Sequence, residues 1–239
     1  MGLLDMPSPV LSALDNWLTP VLPSSAKLVL WAALGAFLGM ELYRVISPQK
    51  RIAEIKLAYA RTQQSVADFE GEFQEAWPLL RRMLALALQR VALVFPATIA
   101  ASLPLLLVVV WLDSRYGDVY PPPDASVGVD VSGDFKGRWV NGGNGVPHAR
   151  IVDRTGAAIA DVPVTQAVSV IQKWRWWNVL IGNPAGYLPD DLPFDRIDLG
   201  LPRQQVLAVG PAWLRGWEGI FFAATILVAL MLKSVRGIA

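Results

Sequence analysis

The stretch VALVFPATIAASLPLLLVVVWL, residues 91–112, decides how the rest of the chain is read. It carries no charge over about 22 residues, and at ~1.5 Å per helical residue it reaches about 33 Å, enough to cross a hydrocarbon core of roughly 30 Å. Pro96 and Pro104 interrupt it. A membrane helix tolerates them when neighbouring helices, or hydroxyls such as those of Thr98 and Ser102, take up the freed backbone groups, so kinks are expected. Two further apolar runs flank this one. The first is Lys27 to Ile46; the other is Trp217 to Leu232, with Trp213 and Trp217 as interfacial anchors and Lys233 and Arg236 beyond its end. Composition agrees, since 54% of the 239 residues are hydrophobic, 17% are charged and the mean hydropathy is +0.39, too apolar for a soluble domain of this size. The expected fold class is therefore membrane α-helical, with three transmembrane helices at 27–46, 91–112 and 213–233. A cytoplasmic helical or coiled-coil segment at 47–90 and an extracytoplasmic, periplasmic β-rich domain at 113–212 are expected between them.

Charge near the span ends sets the orientation. Arg44, Lys50 and Arg51 follow the first run, Arg81, Arg82 and Arg90 precede the second, and Lys233 and Arg236 follow the third, so that side is expected to be cytoplasmic. Asp113, Asp118, Asp124 and Asp130 lie on the other side. The reading is a multi-pass protein of the inner (cytoplasmic) membrane, N-terminus out and the 234–239 tail in. A cleavable signal peptide is a poor alternative, because the leader 1–26 lacks a basic start and carries Asp5 and Asp15. Within that leader Ser8 to Leu18 begins with Ser-Pro, a helix start, and sets Val10, Leu11, Leu14, Trp17 and Leu18 on one side. An amphipathic helix flat on the outer membrane surface and an arm packed on the outer domain are both open.

In the cytoplasmic segment Ile52, Ile55, Tyr59, Thr62, Val66, Phe69 and Phe73 recur at three- and four-residue steps, the seam of a short coiled coil. Pro48 marks its start, and Trp77-Pro78 is expected to break it, because the residue before proline is pushed out of the α region. Whether this is one helix or a hairpin, with its tip at Gly71 or at Thr62 to Ser65, is left open. Lys50, Arg51, Lys56 and Arg61 suit anionic lipid head groups better than nucleic acid, so membrane lipids are expected partners and a specific nucleic acid is not.

Beyond Asp118 glycine, proline and aspartate become frequent. Val127–Val131, Arg138–Val140, Ala149–Val152 and Ile159–Val164 read as strands of a sheet of about five, with a hairpin turn at Asp153-Arg154-Thr155-Gly156. The Asn141 to Gly145 stretch reads as a loop rather than a phosphate cradle. Trp174, Trp176 and Trp177 form the densest aromatic cluster, and three readings compete: an interfacial belt, a strand packed on the sheet, or a stacking platform. Asp190, Asp191, Asp195 and Asp198 read as solvated turns and caps, their spacing fitting no calcium loop. With no cysteine and the single histidine His148, no catalytic residue, metal site or cofactor is expected.

The order of elements, together with Arg82-Met83 to Trp111-Leu112 containing Phe95-Pro96-Ala97 and Leu103-Pro104, and Gly210-Pro211-Ala212-Trp213-Leu214-Arg215-Gly216-Trp217-Glu218 leading into the third run, resembles the three-helix core of the YidC/Oxa membrane insertase superfamily, in the manner of its archaeal and endoplasmic-reticulum branches. The resemblance implies a groove open to cytoplasm and lipid, lined by polar side chains, with nascent membrane chains as partners. Glu41 with Arg44, and Thr98 with Ser102, are the candidate linings, with Arg90 near the boundary; the alternatives are a boundary ion pair that snorkels to the head groups for Glu41 with Arg44 and backbone satisfaction around the prolines for Thr98 with Ser102. Glu218 is expected to pair with Arg215. Bacterial members carry an arginine inside the first core helix, whereas Val29 to Met40 is uncharged here. The rival reading is a non-catalytic scaffold or accessory subunit bound to other integral membrane proteins, for which Ala32, Gly35, Ala36 and Gly39 offer small-residue packing pairs.

Overall fold

The computed structural model describes residues 2–142 and 145–236; the expected loop at Asn141 to Gly145 and the expected cytoplasmic tail lie partly outside the described residues. Its helices are α1 (Ser8–Leu18), α2 (Ser24–Ile46), α3 (Gln49–Ala67), α4 (Phe73–Tyr116), α5 (Ala212–Arg215) and α6 (Trp217–Arg236). Strands β1 (Val129–Val131), β2 (Lys136–Val140), β3 (His148–Val152), β4 (Ala158–Pro163), β5 (Val170–Gln172) and β6 (Arg196–Leu199) lie between α4 and α5. The chain forms two compact units, one of Met1–Val29 with Leu106–Phe221, the other of Leu30–Leu105 with Phe222–Ala239.

Three helices, α2, α4 and α6, are long and apolar enough to cross a membrane. On α4 the large side chains Leu84, Leu88, Val91, Phe95, Ile99, Leu103 and Leu106 form one exposed stripe at three- and four-residue steps. Such an uninterrupted apolar face is a liability in water and suits hydrocarbon. At 44 residues α4 is about 66 Å long, roughly twice the thickness of a hydrocarbon core.

α4 corrects one expectation, for it runs unbroken through Pro78, Pro96 and Pro104. Pro78 is only the sixth residue of the helix, so its missing N–H costs one bond close to the helix start and the helix continues. The hydroxyls of Thr98 and Ser102 donate to the carbonyls of Val94 (3.0 Å) and Ile99 (2.7 Å). The carbonyls that Pro96 and Pro104 leave without an N–H donor are those of Ala92 and Ala100, four residues before each proline, so these hydroxyls do not replace the lost bonds.

In the second unit, α2 stops where Ser47 precedes Pro48, and α3 begins directly after it. α3 ends at Ala67 and α4 starts at Phe73, so the chain turns at 68–72, around Gly71, and the segment is two helices. Ile52 and Ile55 are 1% and 6% exposed, Thr62 is buried, and Tyr59, Val66 and Phe69 are half-buried. The seam is thus covered within this chain over its first turns. Phe73 departs from it: it opens the next helix, is exposed, and its ring meets Trp77 at 6.2 Å.

The small residues of α2 serve an internal contact. A side chain at Gly39 would bring its Cβ to 2.8 Å from the Ala101 carbonyl oxygen of α4, and one at Gly35 to 3.1 Å from Leu105 Cδ1. The two helices therefore approach closely there, as small-residue faces allow. Gly39→Val is expected to lower stability by ~1–3 kcal/mol, since α2 and α4 must separate. Thermal unfolding of the purified protein checks this, and an unchanged midpoint would contradict the close approach.

In the first unit the strands form two three-stranded antiparallel sheets, in the orders β1-β6-β5 and β2-β3-β4, where one sheet of about five strands was expected. β5 and β6 are three and four residues long, and Arg196 and Asp198 mask the alternation of β6, whose Ile197 pairs with Val131 and Ile171. Inward residues of both sheets, among them Ala149, Ile151, Ile171, Ile197 and Leu199, share a core with Val164 and Phe194. The expected turn closes the β3–β4 hairpin: Asp153 Oδ1 accepts from Thr155 N (2.8 Å), Thr155 Oγ1 (2.6 Å) and Ala157 N (2.9 Å), and Gly156 takes φ +88°. The bond from the Thr155 hydroxyl holds the Asp153 carboxyl below the usual range.

Candidate functional site

Two places carry polar chemistry beside apolar helix. In the second unit α2, α4 and α6 enclose an open groove of about 400 Å³. α2 contributes Gly35, Ala36, Gly39, Met40 and Tyr43; α4 contributes Thr98, Ala101, Ser102 and Leu105; α6 contributes Thr225, Ala229 and Lys233. The residues of each set recur at one-, three- and four-residue steps that keep them on one helix face. Small residues leave the space, and hydroxyls at Thr98, Ser102, Thr225 and Tyr43 give it a polar strip. The Thr98 and Ser102 protons go to backbone carbonyls, which leaves their oxygens as acceptors toward the groove. A second cavity of about 560 Å³ shares Tyr43, Thr98 and Lys233 and adds Ile52, Tyr59, Ala87, Arg90, Val91, Val94 and Phe95.

The expected lining is thus only partly assembled. Thr98 and Ser102 share the groove and Arg90 lines the neighbouring cavity, but Glu41 and Arg44 line neither. Glu41 instead sits between two cations, with Arg44 at 2.8 Å and Arg236 at 3.3 Å. Tyr43 and Lys233 are lining residues that the sequence reading did not single out; Lys233 lies eight residues beyond Thr225 on the same face of α6.

Glu218 belongs to the first unit, and its partner is Arg203 at 2.6 Å, while Arg215 donates to the Gly210 carbonyl at 2.7 Å. The expected pairing with Arg215 fails because Gly216, with ψ 177°, separates α5 from α6. The two residues therefore do not lie one turn apart on a single helix.

The first unit holds a buried ion pair. Asp15 is 0% exposed and Lys27 4%. Lys27 Nζ lies 2.9 Å from Asp15 Oδ2 and also donates to Thr19 Oγ1 at 3.1 Å. The Tyr116 hydroxyl donates to Asp15 Oδ1 at 2.7 Å, and its ring centroid is 5.5 Å from Lys27 Nζ. Arg115 Nε stands 3.5 Å from Asp15 Oδ2, and its Nη2 donates to Asn16 Oδ1 at 2.5 Å. Trp111 Nε1 donates to Ser12 Oγ at 2.9 Å. One carboxylate on α1 therefore fastens the first turn of α2 and the last turn of α4. Such a charge persists without water only when fully partnered.

Beside this cluster a pocket of about 450 Å³ is lined by Asp5, Ser8, Ser12, Ser114, Arg115 and Asp118, with Tyr120, Thr165 and Asn183 among the remaining wall. Burial pushes the Asp118 carboxyl above the usual range, against the pull of Arg203. The carboxylates at 190–198 are spread: Asp195 pairs with Lys173 at 3.1 Å, Asp198 pairs with Arg196, and Asp190 and Asp191 are exposed. Among the described residues no group of three His, Cys, Asp or Glu could hold a metal ion.

Trp176 and Trp177 open a 3₁₀ turn, Trp176–Val179, and Trp174 precedes it outside any strand, which corrects the strand reading. Trp174 and Trp176 are spaced two apart, as on a strand, but Asn178 closes the turn, accepting from Arg175 N at 2.8 Å and donating to the Ile181 carbonyl at 3.2 Å. The Trp176 and Trp177 rings meet at 81°, so they offer no parallel faces between which a ring would stack; Arg175 covers Trp177 at 5.2 Å.

No protein-family profile, no curated protein and no solved structure matches the chain.

Proposed function

We propose that this is a multi-pass membrane protein that acts by binding, as a scaffold or accessory subunit resembling the insertase superfamily, with the groove as its contact for another membrane segment. The observation that carries this reading is the groove itself: a concave, small-residue face on three apolar helices, with hydroxyl acceptors along it and Lys233 at one end. A helix seated there would pack by close van der Waals contact and gain side-chain hydrogen bonds, the two terms that associate helices in lipid. Because Gly39 is already committed to α4, the partner is expected against Thr98, Ser102 and Thr225 rather than against the glycine face of α2.

The same acceptors favour the second reading, an active insertase or chaperone for membrane protein biogenesis, since a polar segment passing along them would exchange water for protein oxygens. In this proposal the N-terminus and the β-domain are extracytoplasmic and 47–90 faces the cytoplasm of a cell with an inner membrane, because basic residues crowd both flanks of that segment. The absence of native cysteine makes a clean background. A cysteine at position 60 is expected to resist an impermeant reagent added outside the cell, and one at position 154 to react; the reverse pattern would invert the topology.

Photo-reactive side chains at positions 98, 102 and 225 then separate the two readings. Crosslinks to one fixed set of subunits in stoichiometric yield support the accessory role, and crosslinks to varied newly made chains support the insertase role. A crosslink-free monomer would remove both.

A further inference from the structure

The first helix is folded inside out. On α1 the polar residues Ser8, Ser12, Asp15 and Asn16 share one face, and that face turns toward the protein: Ser12 receives Trp111, Asp15 receives Lys27 and Tyr116, and Asn16 receives Arg115. The opposite face, about 180° round the helix at 100° per residue, carries Val10, Leu14 and Trp17, and all three are exposed. Trp17 is 76% exposed, and Val21, just past the helix, 77%. A helix bathed in water does the reverse, because burying those three side chains would gain what exposing them loses.

The apolar surface does not stop at α1. The 3₁₀ turn Leu3–Asp5 precedes it, and Leu4 N donates to the Leu180 carbonyl at 2.9 Å. Asp5 Oδ2 accepts from both Gly2 N and Gly182 N at 2.7 Å, which joins the leader to the segment after the tryptophan turn. Leu3 and Met6 on one side and Trp176, Val179 and Leu180 on the other are exposed. Asp5 and Asp15, the ionisable side chains of 2–26, are both drawn into these internal bonds, so among the described residues the outer face of the leader carries no charged side chain.

We propose that α1 and the Trp176–Val179 turn form one lipid-inserting surface, seated at the boundary of head groups and acyl chains of the leaflet that the β-domain faces. The inference rests on the proposed reading of α2 as a membrane span. The occupant follows from continuity: α1 reaches α2 through five residues, and its buried carboxylate is locked to Lys27 in the first turn of that span, so α1 is held where a bilayer has its interface. Tryptophan is the side chain enriched there, and Arg175 beside Trp177 is placed to reach lipid phosphate while its stem lies on the ring.

The test uses the full chain with single cysteines at positions 10, 17 and 180, spin-labelled and reconstituted in phosphatidylethanolamine/phosphatidylglycerol vesicles. Position 154 in the exposed β3–β4 turn is the water reference and position 99 on the exposed stripe of α4 the lipid reference. Accessibility to oxygen relative to a water-soluble nickel chelate is expected to rise several-fold at 10, 17 and 180 over position 154. Equal ratios at these positions and at 154 would overturn the proposal, as would exclusion of both reagents, which would mean a protein cover such as a second copy. If position 99 also behaves as water, the membrane reading falls with it; if position 99 alone behaves as lipid, only the seating of α1 is wrong.

Discussion

Asp15→Ala is expected to cost about 3–5 kcal/mol of stability. The reason is the group left behind. Lys27 is 4% exposed, and without the carboxylate its ammonium keeps, among the described residues, Thr19 Oγ1 and the face of the Tyr116 ring. A buried cation so poorly partnered either pulls water into the helix junction or breaks it open. Tyr116→Phe removes one hydrogen bond to the same carboxylate and is expected to cost only ~1–2 kcal/mol. The double variant Asp15→Leu/Lys27→Met is expected to recover most of the loss, because replacing both charges by apolar groups removes the desolvation cost together with the attraction. Chemical denaturation in mild detergent reads all three variants. A single Asp15→Ala variant within 0.5 kcal/mol of the parent would mean that water already reaches the pair.

That cluster is also where sequence reasoning stopped short. Asp15 stood out only as an acidic residue in the leader, and Lys27 only as the edge of an apolar run; their pairing spans 12 residues and the bond to Tyr116 spans 101. No periodicity links residues so far apart. One signal was present, however: residues 16–26, between that acid and that base, carry no charge. The three apolar runs, by contrast, were legible because hydropathy is a local sum; α1 spans Ser8–Leu18 as read, but its N-cap is Pro7 with no side-chain cap bond, so Ser8 is not the cap that the Ser-Pro start implied. The seam at Ile52 and Ile55 was legible from its repeat. Strands β5 and β6 were missed because three or four residues are too short for alternation to declare itself. The break at Pro78 was overstated because its cost is one hydrogen bond, which a helix of 44 residues absorbs. For the groove, helix faces were readable but their meeting was not: Thr98 and Ser102 share it with Thr225 and Lys233, while Glu41 stays outside it, between Arg44 and Arg236.

The seam supplies the second large effect. Ile52→Asp is expected to destabilise the protein by several kcal/mol, for two additive reasons. At 1% exposure Ile52 forfeits about 2–3 kcal/mol of apolar burial, and the new carboxylate is placed beside Tyr43, Val91 and Val94 in the cavity wall, costing at least as much again. Arg90 lines the same cavity and sets the upper limit of the loss, since a flexible guanidinium able to reach the new charge would offset part of its desolvation. Ile55→Asp should behave alike. Phe73→Asp is the control: it belongs to the same sequence repeat but is exposed, so a change within about 0.5 kcal/mol is expected. The comparison separates two ways of using one heptad pattern. If α3 is spent on this chain's own α4, the isolated protein loses stability with Ile52→Asp and keeps it with Phe73→Asp. If the repeat instead serves a coiled coil with another chain, the isolated protein tolerates both and only recovery of the partner falls. Equal, small effects of both substitutions on the purified protein would therefore remove α3 from the fold's own packing.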